Sequence, residues 1–390
     1  MASTKDLDNL LQGFVDGGLP GCGMKVTHKG ECIYEGYFGY ADIENKVPVT
    51  KDSLFRQASM SKLPLYTTMM MLYEQGKYLI TEPVGKYIPE YAQNKKYIIS
   101  PTGKPTAVPT EHPMTISDVL SMKCGLPYCY NNKPTRDQTL TSMQKCMEPL
   151  WEKGHYSVQE HVRAMAGAVL AYEPGTHWTY GFGSEITAAL IEVLTDMPVN
   201  DAFKKYIFEP LGMEHTRSRF AGDDREKLVK LYHRGDDNTL TESKIPFDKK
   251  FEPGEENTQG WERLFSNVDD YSRLMTMLAN GGMFEGRRIM GRKTIDMMRS
   301  NGLDEVMLRD FEDPYNMGYG YGYGVRTIID KAKGNLTGSI GAFGWTGGNG
   351  TWCESDPEEG LAIVYMHNQD PNMELYYHHR VRNVAYSLIK

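Results

Sequence analysis

Hydrophobic and polar positions change period several times along the chain, and each change marks an expected element. Residues 7–16 carry apolar side chains at helical spacing and predict a first helix. Residues 23–40 alternate apolar with polar around Lys29-Gly30, the pattern of an antiparallel hairpin: Met24-Lys25-Val26-Thr27, a turn, then Cys32-Ile33-Tyr34-Glu35-Gly36. A short extended run, Leu54-Phe55-Arg56-Gln57-Ala58, leads into Ser59. The largely apolar stretch from Leu63 to Leu72 then reads as a buried helix. Its Pro64 fits the first turn, where a missing N–H costs nothing. Met69-Met70-Met71 within it reads as core filler, and Arg56 as structural.

The period is lost over residues 85–113, which are rich in Pro, Tyr and Lys. They predict a long covering loop, either a lid over a site or surface decoration. Helical spacing returns at 116–122, 157–170 and 184–195, with a short addition at 201–206. Further on, helices are expected over 269–278, closed by Asn280-Gly281-Gly282, and over 293–298. Residues 318–368 are strand-like, most clearly at 322–329 and 361–366. Strands near both chain ends with helices between predict an α/β (α+β) fold. A discontinuous domain, 1–85 with 255–390, would carry a mainly helical lobe with its covering loop at 86–254. A chain of 390 residues is long enough for that arrangement.

Composition narrows the partners. With 40% hydrophobic and 24% charged residues the chain is an ordinary globular one. A net charge of -8 disfavours nucleic acid or anionic lipid, since nothing strongly basic is available to pair with phosphates. No segment is apolar for long enough to span a bilayer, and the first residues lack a secretory pattern, so a cytoplasmic protein is expected. Cys22, Cys32, Cys124, Cys129, Cys146 and Cys353 are scattered and read as reduced thiols. Neither they nor the histidines show metal-ligand spacing, so neither a metal nor a cofactor is expected. A small molecule is left as the expected partner; oligomeric state leaves no mark in the sequence.

Two Ser-x-x-Lys tetrapeptides are present, Ser59-Met60-Ser61-Lys62 and Ser142-Met143-Gln144-Lys145. About one chance match is expected at average usage in a chain this long. Context separates them. A nucleophilic serine at a helix N-terminus gains from exposed N–H groups and the helix dipole. A lysine three residues on shares its face, and burial lowers that lysine's pKa so that it can take the serine proton. Ser59 lies between an extended run and an apolar helix and meets these needs. Ser142 sits in a polar stretch with no strand before it and is read as coincidence. A Gly-x-Ser-x-Gly elbow, a His-Glu-x-x-His helix and a phosphate-cradling Gly-x-x-x-x-Gly-Lys loop are all missing from the sequence.

The run Leu54-Phe55-Arg56-Gln57-Ala58-Ser59-Met60-Ser61-Lys62 resembles the nucleophile segment of the serine β-lactamase and penicillin-binding-protein superfamily. Within it the chain most resembles the branch of class C β-lactamases and family VIII-type carboxylesterases. Four further segments follow in family order: residues 115–127, ending Cys124-Gly125-Leu126-Pro127; residues 174–183 around Tyr180-Gly181-Phe182; residues 264–271; and residues 344–351 around Trp345-Thr346-Gly347-Gly348. The resemblance therefore runs from about Gly21 to Asn368. It implies a β-lactamase/transpeptidase-like fold, an antiparallel sheet flanked by helices. It further implies Ser59 as nucleophile, Lys62 as its base, Tyr180 as a proton shuttle, and the N–H groups of Ser59 and Gly348 as an oxyanion hole. A glycine-rich segment suits that last role, because no side chain blocks the backbone.

Two departures from the family pattern point to the substrate. The asparagine of the Tyr-x-Asn motif, which binds the substrate amide, is here Phe182. The lysine of Lys-Thr-Gly, which holds a substrate carboxylate, is here Trp345. Penicillins and D-Ala-D-Ala termini need both contacts, so an ester with an apolar or aromatic acyl group is the expected substrate. Phe182, Trp345, Thr346, Gly347 and Trp178 are the expected substrate-binding residues, although Trp178, Phe182, Trp345 and Trp352 would serve equally as core aromatics. An acyltransferase, a β-lactamase, a D-amino-acid peptidase or a sensor acylated without turnover would use the same nucleophile.

Overall fold

The alternation at 23–40 folds into two antiparallel strands, Gly21–His28 and Glu31–Asp42, joined at Lys29-Gly30, where both residues adopt positive φ. The structure is a computed structural model and describes residues 3–129, 133–243, 248, 251–252 and 263–389. The expected boundary near residue 255 lies outside them.

Eight strands form one sheet, in the spatial order Tyr319–Tyr321, Arg326–Ile328, Phe343–Thr346, Trp352–Asp356, Leu361–His367, Gly21–His28, Glu31–Asp42 and Val47–Pro48. Neighbours pair antiparallel throughout. The chain's two ends meet where Met24 lies opposite Tyr365. One face of the sheet is covered by the helices Thr4–Asp16 and Glu374–Tyr386. There Leu7, Leu11 and Phe14 pack with Met24, Tyr365, Tyr377 and Val381. The opposite face receives the helix Val268–Ala279. Behind that lies Lys62–Glu74, whose residues are buried without a break from Lys62 to Leu72. A largely apolar helix buried on every side belongs to a protein interior. Met69 and Met70 are fully buried there, each contributing about 1.5–3 kcal/mol.

Several sequence expectations are corrected. Residues 85–113 are not a plain loop, since Lys95–Ile99 and Pro105–Pro109 form a hairpin. Its strands are mostly exposed, so no alternation betrays them. The hairpin is docked by Leu170 N–H to Lys95 O and by the Lys96–Glu173 ion pair. The polar stretch holding Ser142 is a long helix, Pro134–Lys153, in which the Ser142 hydroxyl accepts from Val169 N–H at 3.1 Å. Ser142 thus has a structural post of its own. The strand expected at 322–329 shrinks to Arg326–Ile328, the helix at 157–170 shortens to Val158–Met165, and the helices Glu305–Phe311 and Glu374–Tyr386 went unread. Trp352 lies beneath the helix Glu374–Tyr386, stacked on His378. It is a core residue on the far face of the sheet.

Candidate active site

The strand Phe55–Arg56 pairs with Phe265–Ser266 and delivers the chain into a tight 3-10 turn, Ala58–Ser61, which runs into the helix Lys62–Glu74. Ala58, immediately before Ser59, has φ of 45°. That left-handed conformation costs a residue with a Cβ about 1–2 kcal/mol, so surrounding bonds must impose it. They come largely from residues 264–271. Gln57 N–H donates to Leu264 O at 2.9 Å, Leu264 N–H donates to the Ser61 hydroxyl at 3.2 Å, and the Tyr271 hydroxyl donates to Met60 O. Arg56 N–H donates to Asn368 Oδ1, and its guanidinium reaches Val229 O and Asp248, a structural role as expected.

One helical turn after Ser59, Lys62 is 1% exposed and points its Nζ back to the serine Oγ at 3.4 Å. The same Nζ lies 5.0 Å from the centre of the Tyr180 ring and 5.3 Å from that of Tyr128. Tyr180 is held by residues 122–128, which run beside it. Thr179 N–H donates to Met122 O, Tyr128 N–H to Tyr180 O, and Phe182 N–H to Leu126 O at 2.8 Å. The approach is so close that a Cβ on Gly181 would stand 1.8 Å from Leu126 O. Only glycine fits between Tyr180 and Phe182.

The end of the strand Phe343–Thr346 closes the other side. A Cβ on Gly347 would lie 2.2 Å from Thr351 Oγ1 and 2.4 Å from Gln57 O, so this backbone presses directly on the turn that carries Ser59. Gly348 faces open space instead. Among the described residues, neither the Ser59 nor the Gly348 N–H has a backbone acceptor. Both remain available to an incoming oxygen.

The aromatic residues divide by role. Trp345, 6% exposed, donates its indole N–H to the Tyr180 hydroxyl at 3.3 Å. Trp178 stacks on Tyr180 and meets Phe311 and Tyr321 edge-on, forming the wall behind Tyr180. Phe182 is half-buried and packs edge-on against Tyr128 at 4.6 Å. Tyr321 is fully buried against Trp345, and burial pushes its phenol well above the usual range.

Two residues of this site were missed in the sequence. Tyr128 directs its hydroxyl to Ser184 Oγ at 3.0 Å and to both oxygens of Glu185 at 3.3 and 3.2 Å. Glu185 is 2% exposed, on the first turn of the helix Gly183–Thr195. The available signal was spacing: Tyr128 follows Cys124-Gly125-Leu126-Pro127, and Glu185 lies five residues after Tyr180.

Known proteins resemble this chain along most of its length. Esterase EstB of Burkholderia gladioli is 23% identical over 371 residues, covering 90% of this chain and 86% of its own. The solved structure of EstCE1, described as a hydrolase with promiscuous acyltransferase activity, superposes with a TM-score of 0.80 at 21% identity, covering 98% of both chains. Simvastatin synthase (LovD) from Aspergillus terreus superposes with a TM-score of 0.82 at 18% identity, covering 99% of this chain and 97% of that one. A beta-lactamase family model matches residues 7–386. With that match, the antiparallel sheet and the Ser59–Lys62 geometry in place, the chain belongs to the beta-lactamase family.

Proposed function

We propose that this protein is a serine esterase working through an acyl-enzyme on Ser59. The observation that carries the reading is the serine oxygen 3.4 Å from the Nζ of a lysine 1% exposed, with Tyr180 beside both. Ser59 Oγ attacks the ester carbonyl while its proton passes to Lys62. The oxyanion accepts from the Ser59 and Gly348 N–H groups, and Tyr180 relays a proton to the departing alcohol. Water then attacks the acyl-enzyme by the reverse route, returning the proton to Ser59 and releasing the acid.

Phe182 and Trp345 support an ester over a β-lactam. One presents a ring where an amide group would be recognised. The other gives its only hydrogen-bond donor to Tyr180, leaving none for a substrate carboxylate. Esterase EstB and EstCE1 support the same reading, and EstCE1, a hydrolase with promiscuous acyltransferase activity, makes acyl transfer the runner-up. The decisive assay is p-nitrophenyl butyrate with wild type and Ser59→Ala: release of nitrophenol should vanish in the variant. Equal rates would sink the esterase reading. Nitrocefin turnover rivalling the ester would overturn the role given to Phe182 and Trp345. Adding an alcohol acceptor and finding mostly transesterified product would favour the transferase.

A further inference from the structure

The carboxylate of Glu374 stands beside the same strand end. Its Oε2 lies 3.2 Å from Thr346 Oγ1 and 3.4 Å from Asn372 Nδ2, which ties it to the residue preceding Gly347-Gly348. Thr346 is half-buried, and its hydroxyl also lies 3.2 Å from Thr351 O. Glu374 Oε1 accepts from no described residue, yet it is not among the sealed, unpartnered atoms of the interior, so it reaches solvent.

The surrounding charges leave this acid uncompensated at close range. Arg326 exerts a field on Glu374, but it is 1% exposed and committed elsewhere. Its guanidinium donates to Tyr315 Oη at 2.7 Å and lies over the rings of Tyr315 and Tyr319. Asp313 adds a second negative field. Glu374 is therefore a partly desolvated carboxylate with one open oxygen, held beside Thr346 at the strand end that leads into Gly347-Gly348.

We propose that Glu374, held on Thr346, forms a subsite for a positively charged ammonium group of the substrate. This rests on the esterase reading and names its substrate class: cationic esters rather than carboxylate-bearing ones. A carboxylate already stripped of part of its water gains more from a contacting ammonium than an exposed one does. The same charge repels an anionic substrate, which gives selection as well as binding.

The test compares butyrylcholine with the butyrate ester of its uncharged isostere, in which a tert-butyl group replaces the trimethylammonium. Shape is constant, and the inductive advantage of choline as leaving alcohol is the same in wild type and variant, so the change in their ratio reads the subsite. In wild type kcat/KM should favour the choline ester by about fivefold or more. In Glu374→Gln that ratio should fall by about fivefold. Damage to the fold lowers both rates and leaves their ratio, so the ratio reads the charge. A wild-type ratio at or below one, or a ratio unmoved by the substitution, overturns the subsite. Should none of these esters nor p-nitrophenyl butyrate turn over, the esterase reading falls separately. Ligand-observed NMR with choline and its tert-butyl isostere then decides the subsite. A preference for choline that disappears in Glu374→Gln supports it, and equal binding refutes it.

Discussion

The indole N–H of Trp345 donates to the phenolic oxygen of Tyr180 across 3.3 Å, with the two rings 5.5 Å apart. The sequence placed Trp345 among the substrate-binding residues; the structure turns its polar edge toward Tyr180. A residue that holds Tyr180 should affect kcat, whereas a residue lining the acyl pocket should affect KM. Trp345→Phe keeps a ring and removes the donor. It should lower kcat on p-nitrophenyl butyrate by about tenfold with little change in KM, as expected for one lost hydrogen bond to a group carrying charge in the reaction. A rise in KM at constant kcat would return Trp345 to the acyl pocket.

Lys62 can be tested without turnover. Methionine has similar length and no basic nitrogen, and suits a buried, largely apolar helix. Lys62→Met should slow fluorophosphonate labelling of Ser59 by about 10²- to 10⁴-fold, the usual contribution of a positioned general base. Labelling within a few-fold of wild type would remove Lys62 from the mechanism.

What the sequence made legible followed from local pattern. The Gly21–His28 and Glu31–Asp42 hairpin and the helix after Ser59 have periods set by a single environment, and ordered segments around Ser59 and Tyr180 identified the family. What stayed hidden depends on partners distant in sequence. The helix Pro134–Lys153 carries few buried side chains and a proline at 149, so its stripe is thin. Glu374–Tyr386 mixes buried histidine and arginine into its inner face, and these read as surface residues until Glu354 and Gly350 supply partners. Tyr128 and Glu185 are 57 residues apart, and no short pattern links them. The same holds for the Trp345–Tyr180 bond, which joins two separate family segments.

The Tyr128 hydroxyl serves a buried carboxylate and should therefore matter to stability. Tyr128→Phe keeps the ring against Phe182 and Tyr180 and deprives Glu185 of a donor. The expected loss is about 1–3 kcal/mol of unfolding free energy, the range for a buried polar group that loses a hydrogen-bond partner. Chemical denaturation would show it as a lower midpoint at unchanged slope. A midpoint equal to wild type would mean that Glu185 is served by its other neighbours alone.

Stability should also depend on pH through two buried histidines beside the Gly347–Thr351 turn. Burial pushes the His367 imidazole down to about 3 and that of His378 well below its ordinary range. Their partners suit neutral rings. His378 Nε2–H donates to Gly350 O while Tyr315 donates to Nδ1, and His367 Nε2–H donates to Asn372 O while Tyr365 donates to Nδ1. In the unfolded chain each ring titrates near about 6.5. Below that pH the unfolded state binds more protons than the folded one, so stability is complete above about 6.5 and falls with pH, by up to about 1.4 kcal/mol per unit for each histidine. Half-buried His379, lowered to about 4, adds to the same trend. Burial raises the carboxyls of Asp270, Glu192 and Glu374, which works in the opposite direction just above the carboxylate range. The histidine signature is therefore clearest between about pH 5 and 6.5. Unfolding free energies measured by denaturant across that window should fall steadily toward the acid side, and a flat profile would show that these rings are not held neutral.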